Sequence, residues 1–486
     1  MSTVSIQPSE STYTNKRIDS EKFSLPMRDW LYSLGFLLSY SLFSLHFPLG
    51  YLLVPVFLIN SFVKNRYDFV IQVFLICGRF GFYDANSYPF KFDDILLIVS
   101  ILCIFLLRKD SVLKKSFWLV LLYIVILVGF AMLSEESLAI QFRMMRRYIA
   151  IVSLFFPLVC FANKVFDIRT FYKRITGYAL IICLFYIVDC AIFNGWVLLP
   201  GLPIYGPPSG SVYDHLICYP FSMIFPRKYP YGVYLLTFMI IPIARRYFRL
   251  TICQWVIILL AVLSTRTMSF MGGLIITYVI MIGQGKQILK YGVFAIIFIS
   301  ALYLVDGAAG GKLRVQSTVN QFIALNEARD EEDLSEFGTG RMAQIIPKMD
   351  VLIEDGRLMT GFGFLHPELT TISKYVIYNP LYIDTSKAEE VVTGVEVTQV
   401  QTVLDIGLLG LLIQTAFYIG LYFIIRPLRY SEYYLSVLIA VSIFGIGGFA
   451  GLCQSDGVMM VALSYSVVLL SNRKKYNTDE KQKTAL

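Results

Sequence analysis

The 486-residue sequence has few charged residues and almost no histidine. Asp, Glu, Lys and Arg together make up 16% of it, and there are three His, whereas a typical soluble domain is about 25% charged. This shortage of charge excludes a soluble enzyme and a disordered chain. Because His46, His215 and His366 lie far apart in the sequence, a His-rich metal site is not expected either.

Paired cysteines are also missing. The eight Cys form no Cys-x-x-Cys pair, and most of them lie within apolar runs. This pattern is typical of small buried side chains and argues against a disulfide scaffold. No basic segment alternates with aromatic residues, so a surface that stacks nucleic-acid bases is not predicted.

Apolar residues, in contrast, are in excess. They make up 56% of the sequence, and the mean hydropathy is +0.64. Since a helix crosses a bilayer with about 20 apolar residues, we predict an all-α polytopic membrane protein with about 14 transmembrane helices. The predicted spans centre on residues 30–45, 48–63, 68–83, 93–107, 117–134, 148–163, 176–193, 231–244, 251–264, 268–284, 290–305, 399–425, 431–452 and 455–471.

Lys and Arg predict the orientation of these spans. Basic clusters, such as those at 169–174 and 426–429, fall on alternate loops, and basic loops face the cytoplasm. Both termini are then cytoplasmic. The predicted division of the chain is a cytoplasmic tail at 1–28, a transmembrane bundle at 29–305 with an outer loop at 194–230, a large outer loop at 306–398, C-terminal spans at 399–471 and a cytoplasmic tail at 472–486.

One short outer segment contradicts this charge rule. The segment QFRMMRRY, residues 141–148, contains Arg143, Arg146 and Arg147, and the number of spans places it outside, although basic residues favour the cytoplasm. Either one span is miscounted or these arginines bind an anion.

Two of the charged residues within or at the rim of the predicted spans are candidates for a functional role. Arg266 lies in LSTRTMSFMGG, between two short apolar runs, and Asp405 lies within the span at 399–425. A charge at the centre of a span costs on the order of 2.5–3.5 kcal/mol. Arg266 therefore either faces a polar cavity or extends to the lipid headgroups.

The large loop contains a predicted helix that begins near an arginine. Thr339 is the predicted N-cap of this helix and Gly356 its end. Arg341 then lies in the first turn, where the helix dipole disfavours a cation. This side chain is either solvated or has an anionic partner.

Several of these patterns, in this order, resemble motifs of the O-antigen polymerase and O-antigen ligase superfamily of bacterial membrane glycosyltransferases. The matching segments are Ser264–Thr265–Arg266, Gly338–Thr339–Gly340–Arg341, Gly361–Phe362–Gly363 as a turn, and the helix ending in Gly407–Leu408–Leu409–Gly410. The resemblance covers about residues 250–425. The N-terminal half is similar only in architecture, including an arginine-bearing outer segment.

The resemblance implies a GT-C-like fold and the transfer of a glycan from undecaprenyl pyrophosphate to a sugar hydroxyl at the outer face of the inner membrane. It implies no nucleotide sugar, no metal and no cofactor. A pyrophosphate leaving group is stabilised by bidentate guanidinium contacts, and Arg266 and Arg341 are the first candidates for this catalytic role. Arg143, Arg146 and Arg147 are secondary contacts to the pyrophosphate.

One departure from the family motifs favours the polymerase branch. Counting back from Gly407, the His-Asn pair of the family falls on Glu396–Val397, so the His that the ligase branch uses is absent. A carboxylate or an imidazole can orient or deprotonate the acceptor hydroxyl. Glu396 is the candidate by position, and His366 is the candidate by chemistry.

We therefore predict a polymerase that extends a lipid-linked repeat unit. Its predicted partners are the lipid-linked donor and acceptor and the bilayer, with a chain-length regulator as a further candidate and no nucleic acid. An O-antigen ligase is the alternative. A flippase or secondary transporter is an alternative of another class, although transporters usually have short outer loops and internal repeats. No feature of the sequence favours a sensor or a channel.

Overall fold

Helices make up most of the part of the chain that the structure describes. Four of them are long and apolar enough to span a membrane: Leu113–Met132, Ile168–Val188, Thr398–Ile425 and Ser455–Asn472. This finding agrees with the predicted all-α membrane protein. The computed structural model describes residues 21–44, 47–79, 92–106, 111–162, 164–193, 239–240, 248–264, 272–275, 277, 297, 300–301, 303–308, 316, 341–366, 370, 372–378, 389–395, 397–446 and 451–483.

The N-terminal half of the chain is a succession of helices that follows the short strand β1 (Glu21–Lys22). In order they are α1 (Met27–Ser44), α2 (Pro48–Lys64), α3 (Arg66–Arg79), α4 (Phe92–Leu106), α5 (Ser111–Met132), α6 (Leu138–Ile149), α7 (Phe155–Cys160) and α8 (Ile168–Phe193). A 3-10 helix at Ala150–Leu154 joins α6 to α7. The helical path through these three elements begins at Leu138, earlier than the span predicted at 148–163, and it includes the arginines of QFRMMRRY.

The C-terminal half combines long helices with small strands. Among the residues described there, its elements are β2 (Phe248–Arg249), α9 (Ile252–Ser264), α10 (Arg341–Glu354), a 3-10 turn (Ser373–Tyr375), β3 (Val376–Tyr378), β4 (Glu389–Val391), α11 (Thr398–Ile425), α12 (Ser431–Ile446) and α13 (Ser455–Lys483). β1 pairs with β2 in parallel, and β3 pairs with β4 in antiparallel. The predicted spans at 231–244, 268–284 and 290–305 lie mostly outside the described residues, so the number of fourteen stays a prediction.

Helices α5 and α11 form an antiparallel pair. The rings of Tyr123 and Phe417 stack with centroids 4.1 Å apart, and Leu119 lies against Gly420. At 1.5 Å per residue, the 28 residues of α11 extend over about 42 Å, which exceeds the roughly 30 Å of hydrocarbon in a bilayer.

A charged cluster joins the beginnings of three helices. Arg174 of α8 pairs with Asp29 of α1 at 2.8 Å and with Asp68 of α3 at 3.3 Å. Because largely buried charges need partners of opposite sign, this cluster holds the beginnings of α1, α3 and α8 together at one end of the bundle.

The C-terminal helices meet the same end. Tyr172 of α8 packs edge-on against Tyr433 of α12, with ring centroids 5.6 Å apart. The side chain of Asn472 on α13 accepts a hydrogen bond from the N–H of Arg429 at 3.1 Å and donates one to its carbonyl oxygen at 2.9 Å. We call this end, where Arg174 and Arg429 lie, the basic end.

A second, smaller hydrophobic core lies within the large loop. It unites α10, the β3–β4 hairpin and the first turns of α11, and its buried members include Leu352, Phe362, Tyr375, Val392 and Leu404. The described part of the predicted loop at 306–398 therefore packs directly onto the beginning of α11.

Cysteine labelling tests whether the two ends of the bundle face opposite sides of a membrane. Glu135, in the α5–α6 turn, and Arg429 are both exposed. We expect a membrane-impermeant maleimide to label Glu135→Cys in intact cells and Arg429→Cys only after permeabilisation, with the parent chain as the background control. Labelling of both variants from the same side would contradict this topology.

Candidate functional site

The long helix α11 is broken at Gly407. This residue has φ 71° and ψ −179° inside the helix, so the regular i to i−4 hydrogen bonds are interrupted there. Within a membrane segment, each backbone group left without a partner costs several kcal/mol. The break therefore requires another part of the chain to supply the missing partners.

Residues 358–363, which we call the glycine turn, supply them. The N–H of Leu408 donates to the carbonyl oxygen of Leu358 at 2.9 Å. In the opposite direction, the N–H groups of Phe362 and Gly363 donate to the carbonyl oxygens of Leu404 at 2.8 Å and Asp405 at 2.9 Å. The turn thus binds both sides of the break.

Glycine is required where the two backbones approach most closely. Gly361 has φ 73°, and a Cβ there would lie 2.6 Å from the carbonyl of Asp405. A Cβ on Gly407 would overlap the carbonyl of Met359. The predicted Gly-Phe-Gly turn is confirmed, and so is the predicted end of α10 at Gly356, where the N–H of Arg357 donates to the carbonyl oxygen of Leu352 at 3.0 Å in a Schellman-type cap.

A buried carboxylate lies directly beside the break. Asp405 is 0% exposed. Its Oδ2 accepts hydrogen bonds from Arg147 Nη2 and from the hydroxyl of Tyr148, each at 2.6 Å, and its Oδ1 accepts one from Gln401 Nε2 at 2.7 Å. Both oxygens are therefore satisfied, as a charge removed from water requires.

This carboxylate lies far from the basic end. Asp405 and Ile425 are separated by 20 residues of α11, which at 1.5 Å per residue corresponds to about 30 Å, the thickness of the hydrocarbon layer. The network around Asp405 thus lies about one hydrocarbon thickness from the basic end.

The neighbouring arginine of α6 also has a carboxylate partner. Arg146 Nη1 donates to both oxygens of Asp94, near the beginning of α4, at 2.7 and 2.9 Å. The exposed fractions of the two side chains are 21% and 17%. In the structure, Arg146 and Arg147 therefore pair with carboxylate side chains of the protein.

Helix α6 also holds the segment that follows the glycine turn. Gln141 Oε1 accepts a hydrogen bond from the N–H of Phe364 at 2.7 Å, and its Nε2 donates to the hydroxyl of Ser134 at 2.9 Å. The ring of Tyr148 lies 5.2 Å from that of Phe364. Three distant stretches of sequence, around residues 145, 363 and 405, thus form one contiguous site.

An exposed ionic cluster ties the flanks of the glycine turn to the α5–α6 turn. Arg357 Nη2 pairs with Glu135 at 2.9 Å, and Lys374 pairs with the other oxygen of the same carboxylate. The hydrogen bond from Lys374 lowers the pKa of Glu135 below its ordinary value.

The structure brings together only part of the predicted site. Arg146 and Arg147 belong to it, and Arg143 lies one turn earlier on α6. His366 is half-buried two residues after Phe364, and its carbonyl oxygen accepts a hydrogen bond from the hydroxyl of Thr370 at 2.7 Å.

The other predicted residues lie partly or wholly outside the described part of the chain. Arg341 is the first residue of α10, as predicted, but only its backbone is described. Arg266 and Glu396 lie outside the described residues, as does the predicted N-cap Thr339.

Sequence reasoning missed Asp94 as a member of the site and Tyr148 as a partner of Asp405. A signal existed for Asp94, since FDDILL places two carboxylates at the start of an apolar run, where an unpaired charge is costly. Within the described ranges, no group of three or more His, Cys, Asp or Glu is placed to hold a metal ion.

No model of a known protein family matches the chain, and no curated protein or solved structure matches it either.

Substitution of the glycines tests the broken helix. We expect Gly407→Ala to destabilise the protein more than Gly356→Ala, because both positions have positive φ but only at Gly407 would the Cβ overlap another backbone. The strain of an alanine at a positive φ costs roughly 1–2 kcal/mol by itself. Thermal unfolding in detergent measures the difference.

Gly129→Ala in α5 is the matched control, because a Cβ there meets nothing within 4 Å and alanine favours a helix by about 1 kcal/mol over glycine. Equal stability of the Gly407→Ala and Gly129→Ala variants would show that the break is not a feature of the folded protein.

A double-mutant cycle tests the Arg147–Asp405 pair. Removal of one partner from a buried pair costs about 3–5 kcal/mol, since it leaves the other charge unpaired. We expect Arg147→Gln and Asp405→Asn to be destabilising alone and the double variant to lose much less than the sum of the two. As a control, Arg357→Gln and Glu135→Gln, which disrupt the exposed ion pair, should leave the unfolding temperature unchanged. Strict additivity at Arg147 and Asp405 would contradict the pairing.

Proposed function

We propose that the chain is a membrane glycosyltransferase that polymerises a polysaccharide. In this proposal it transfers a growing glycan from undecaprenyl pyrophosphate to the non-reducing-end hydroxyl of a lipid-linked repeat unit, at the outer face of a bacterial inner membrane. The observation that carries the proposal is the direct contact between the glycine turn and the beginning of α11, two segments in which the sequence resembles motifs of the O-antigen superfamily. The arginine-bearing α6, which is similar to the superfamily only in architecture, contacts Asp405 and Phe364 beside them.

The position of the site suits a substrate with a lipid anchor. Arg146 and Arg147 lie about one hydrocarbon thickness from the basic end, so a pyrophosphate at the membrane surface would reach them while its isoprenoid chain stays in the bilayer. Fixed guanidinium groups stabilise the charge that develops on such a leaving group.

The arginines keep donors for a phosphate although each has a carboxylate partner. A guanidinium has five N–H donors. Arg147 uses Nη2 for Asp405, and the proposal assigns its remaining donors to the pyrophosphate. In the proposal, Arg266 and Arg341 complete the pyrophosphate site with Arg143, and Glu396 or His366 prepares the acceptor hydroxyl.

An O-antigen ligase would use the same donor and a different acceptor. Glu396–Val397 in place of the His-Asn pair favours the polymerase. The observation that favours a transporter is the broken helix α11, since broken helices are typical of transporter binding sites. However, the glycine turn occupies the backbone groups at the break, whereas a transported substrate would bind them.

The length distribution of the host's surface polysaccharide tests this proposal. On a gel, deletion of the gene should leave glycan with a single repeat unit and remove the ladder of bands from longer chains. Arg266→Ala at normal protein level should match the deletion, because alanine cannot contact the pyrophosphate, and Arg429→Ala at the basic end should match the wild type.

If the deletion removes all surface glycan that carries repeat units, while long chains stay on the lipid carrier at the outer face, the polymerase is contradicted and a ligase is identified. Accumulation of single lipid-linked units at the inner face would identify a flippase.

A further inference from the structure

A narrow cleft lies beside the Asp94–Arg146 ion pair. Its walls are formed by α4, α6, the 3-10 helix that follows α6 and the first turns of α13, and its lining residues are Asp94, Leu97, Arg146, Ala150, Ser153 and Met459. The space within it suits one group of about the size of a water molecule. A ligand would therefore insert a single small group here, with the rest of the molecule outside.

Ser153 gives the cleft an unsatisfied polar group. Ser153 is only 1% exposed, and its Oγ has no hydrogen-bond partner in the part of the chain that the structure describes. Buried serines of helices commonly donate to a carbonyl one turn earlier, as Ser466 does to Ala462 at 2.9 Å. Since an unpaired buried hydroxyl is unfavourable, Ser153 offers the cleft a donor and acceptor that a bound hydroxyl group would satisfy.

The other lining residues define the chemistry of that group. The carboxylate of Asp94 is an acceptor, whereas the hydroxyl of Ser153 can donate and accept. Asp94 disfavours an anion in the cleft and Arg146 disfavours a cation, while Leu97 and Met459 add apolar walls. An uncharged alcohol fits this set, because its O–H can donate to Asp94 while its oxygen accepts from Ser153.

We propose that the cleft binds the acceptor hydroxyl of the glycan and that Asp94 accepts its proton. This inference rests on the proposed function. The O–H bond of the acceptor breaks and its proton moves to an oxygen of Asp94. The oxygen forms the new bond to the anomeric carbon of the donor, and the bond between that carbon and the pyrophosphate oxygen breaks. The electron pair of this bond leaves with undecaprenyl pyrophosphate.

Arg146 connects the two halves of this reaction. It holds Asp94 through Nη1, and Arg147, the next residue, lies at the proposed pyrophosphate site. In the proposal, Asp94 positions the acceptor oxygen and Arg147 the leaving group, and α6 links the two because it carries both Arg147 and Arg146, the partner of Asp94. Asp94 replaces Glu396 and His366 as the residue that prepares the acceptor.

Chemical rescue tests the role of Asp94. The assay uses the full chain, purified and reconstituted in liposomes with the lipid-linked repeat unit. We expect Asp94→Ala to lower kcat by about 10²–10⁴-fold, the usual effect of a positioned base, and to change the KM for the acceptor much less than kcat. Added formate should restore the rate with saturation, because it supplies a carboxylate in the vacated space. Asp355→Ala, which removes an exposed carboxylate of the α10 turn, should behave as the wild type.

Ser153→Ala should raise the acceptor KM several-fold with kcat nearly unchanged, since one neutral hydrogen bond contributes about 1 kcal/mol.

A folded Asp94→Ala protein that keeps the wild-type rate, or that formate does not rescue, would overturn the role of Asp94. If Asp94→Ala does not fold, Ser153→Val decides: a higher acceptor KM supports the subsite, and an unchanged KM overturns it. A folded wild-type protein that transfers no glycan would overturn the proposed function itself, so the two failures are distinguishable.

Discussion

The hydrogen-bonding requirement of the backbone within a membrane segment governs the site. Helix α11 breaks at Gly407, and the glycine turn supplies the partners that the break removes. One constraint therefore has two consequences. The large loop is fixed to the first turns of α11, and Asp405 is fixed beside α6. A turn that lacked Gly361 could not approach the helix closely enough to do this.

The ion pairs of α6 explain how arginines are retained at this position. Arg147 meets Asp405 from the broken helix, and Arg146 meets Asp94 from α4. Each pair joins elements that are distant in the sequence, so the charges that are costly near the bilayer also determine which helices lie together.

Much of the architecture could be predicted from the sequence, and the pairings could not. Apolar runs locate most of the helices, and the positive φ at Gly361 and Gly363 confirms the turn that the Gly-Phe-Gly pattern predicts. The partners of Arg146 and Arg147 depend on how α4, α6 and α11 pack, because Asp94 and Asp405 are about 50 and 260 residues away in the sequence and ion pairing leaves no periodic signal. The start of α6 at Leu138 is not evident from the sequence either, because its charged residues hide the helix from a search for apolar runs.

Reconstitution tests the account most directly. The purified chain in liposomes, given only a lipid-linked repeat unit, should lengthen the glycan and release one undecaprenyl pyrophosphate for each new linkage, without a nucleotide sugar or an added metal. A folded protein, judged by its unfolding temperature, that leaves this substrate unchanged, or that moves it across the bilayer without lengthening it, would contradict the account.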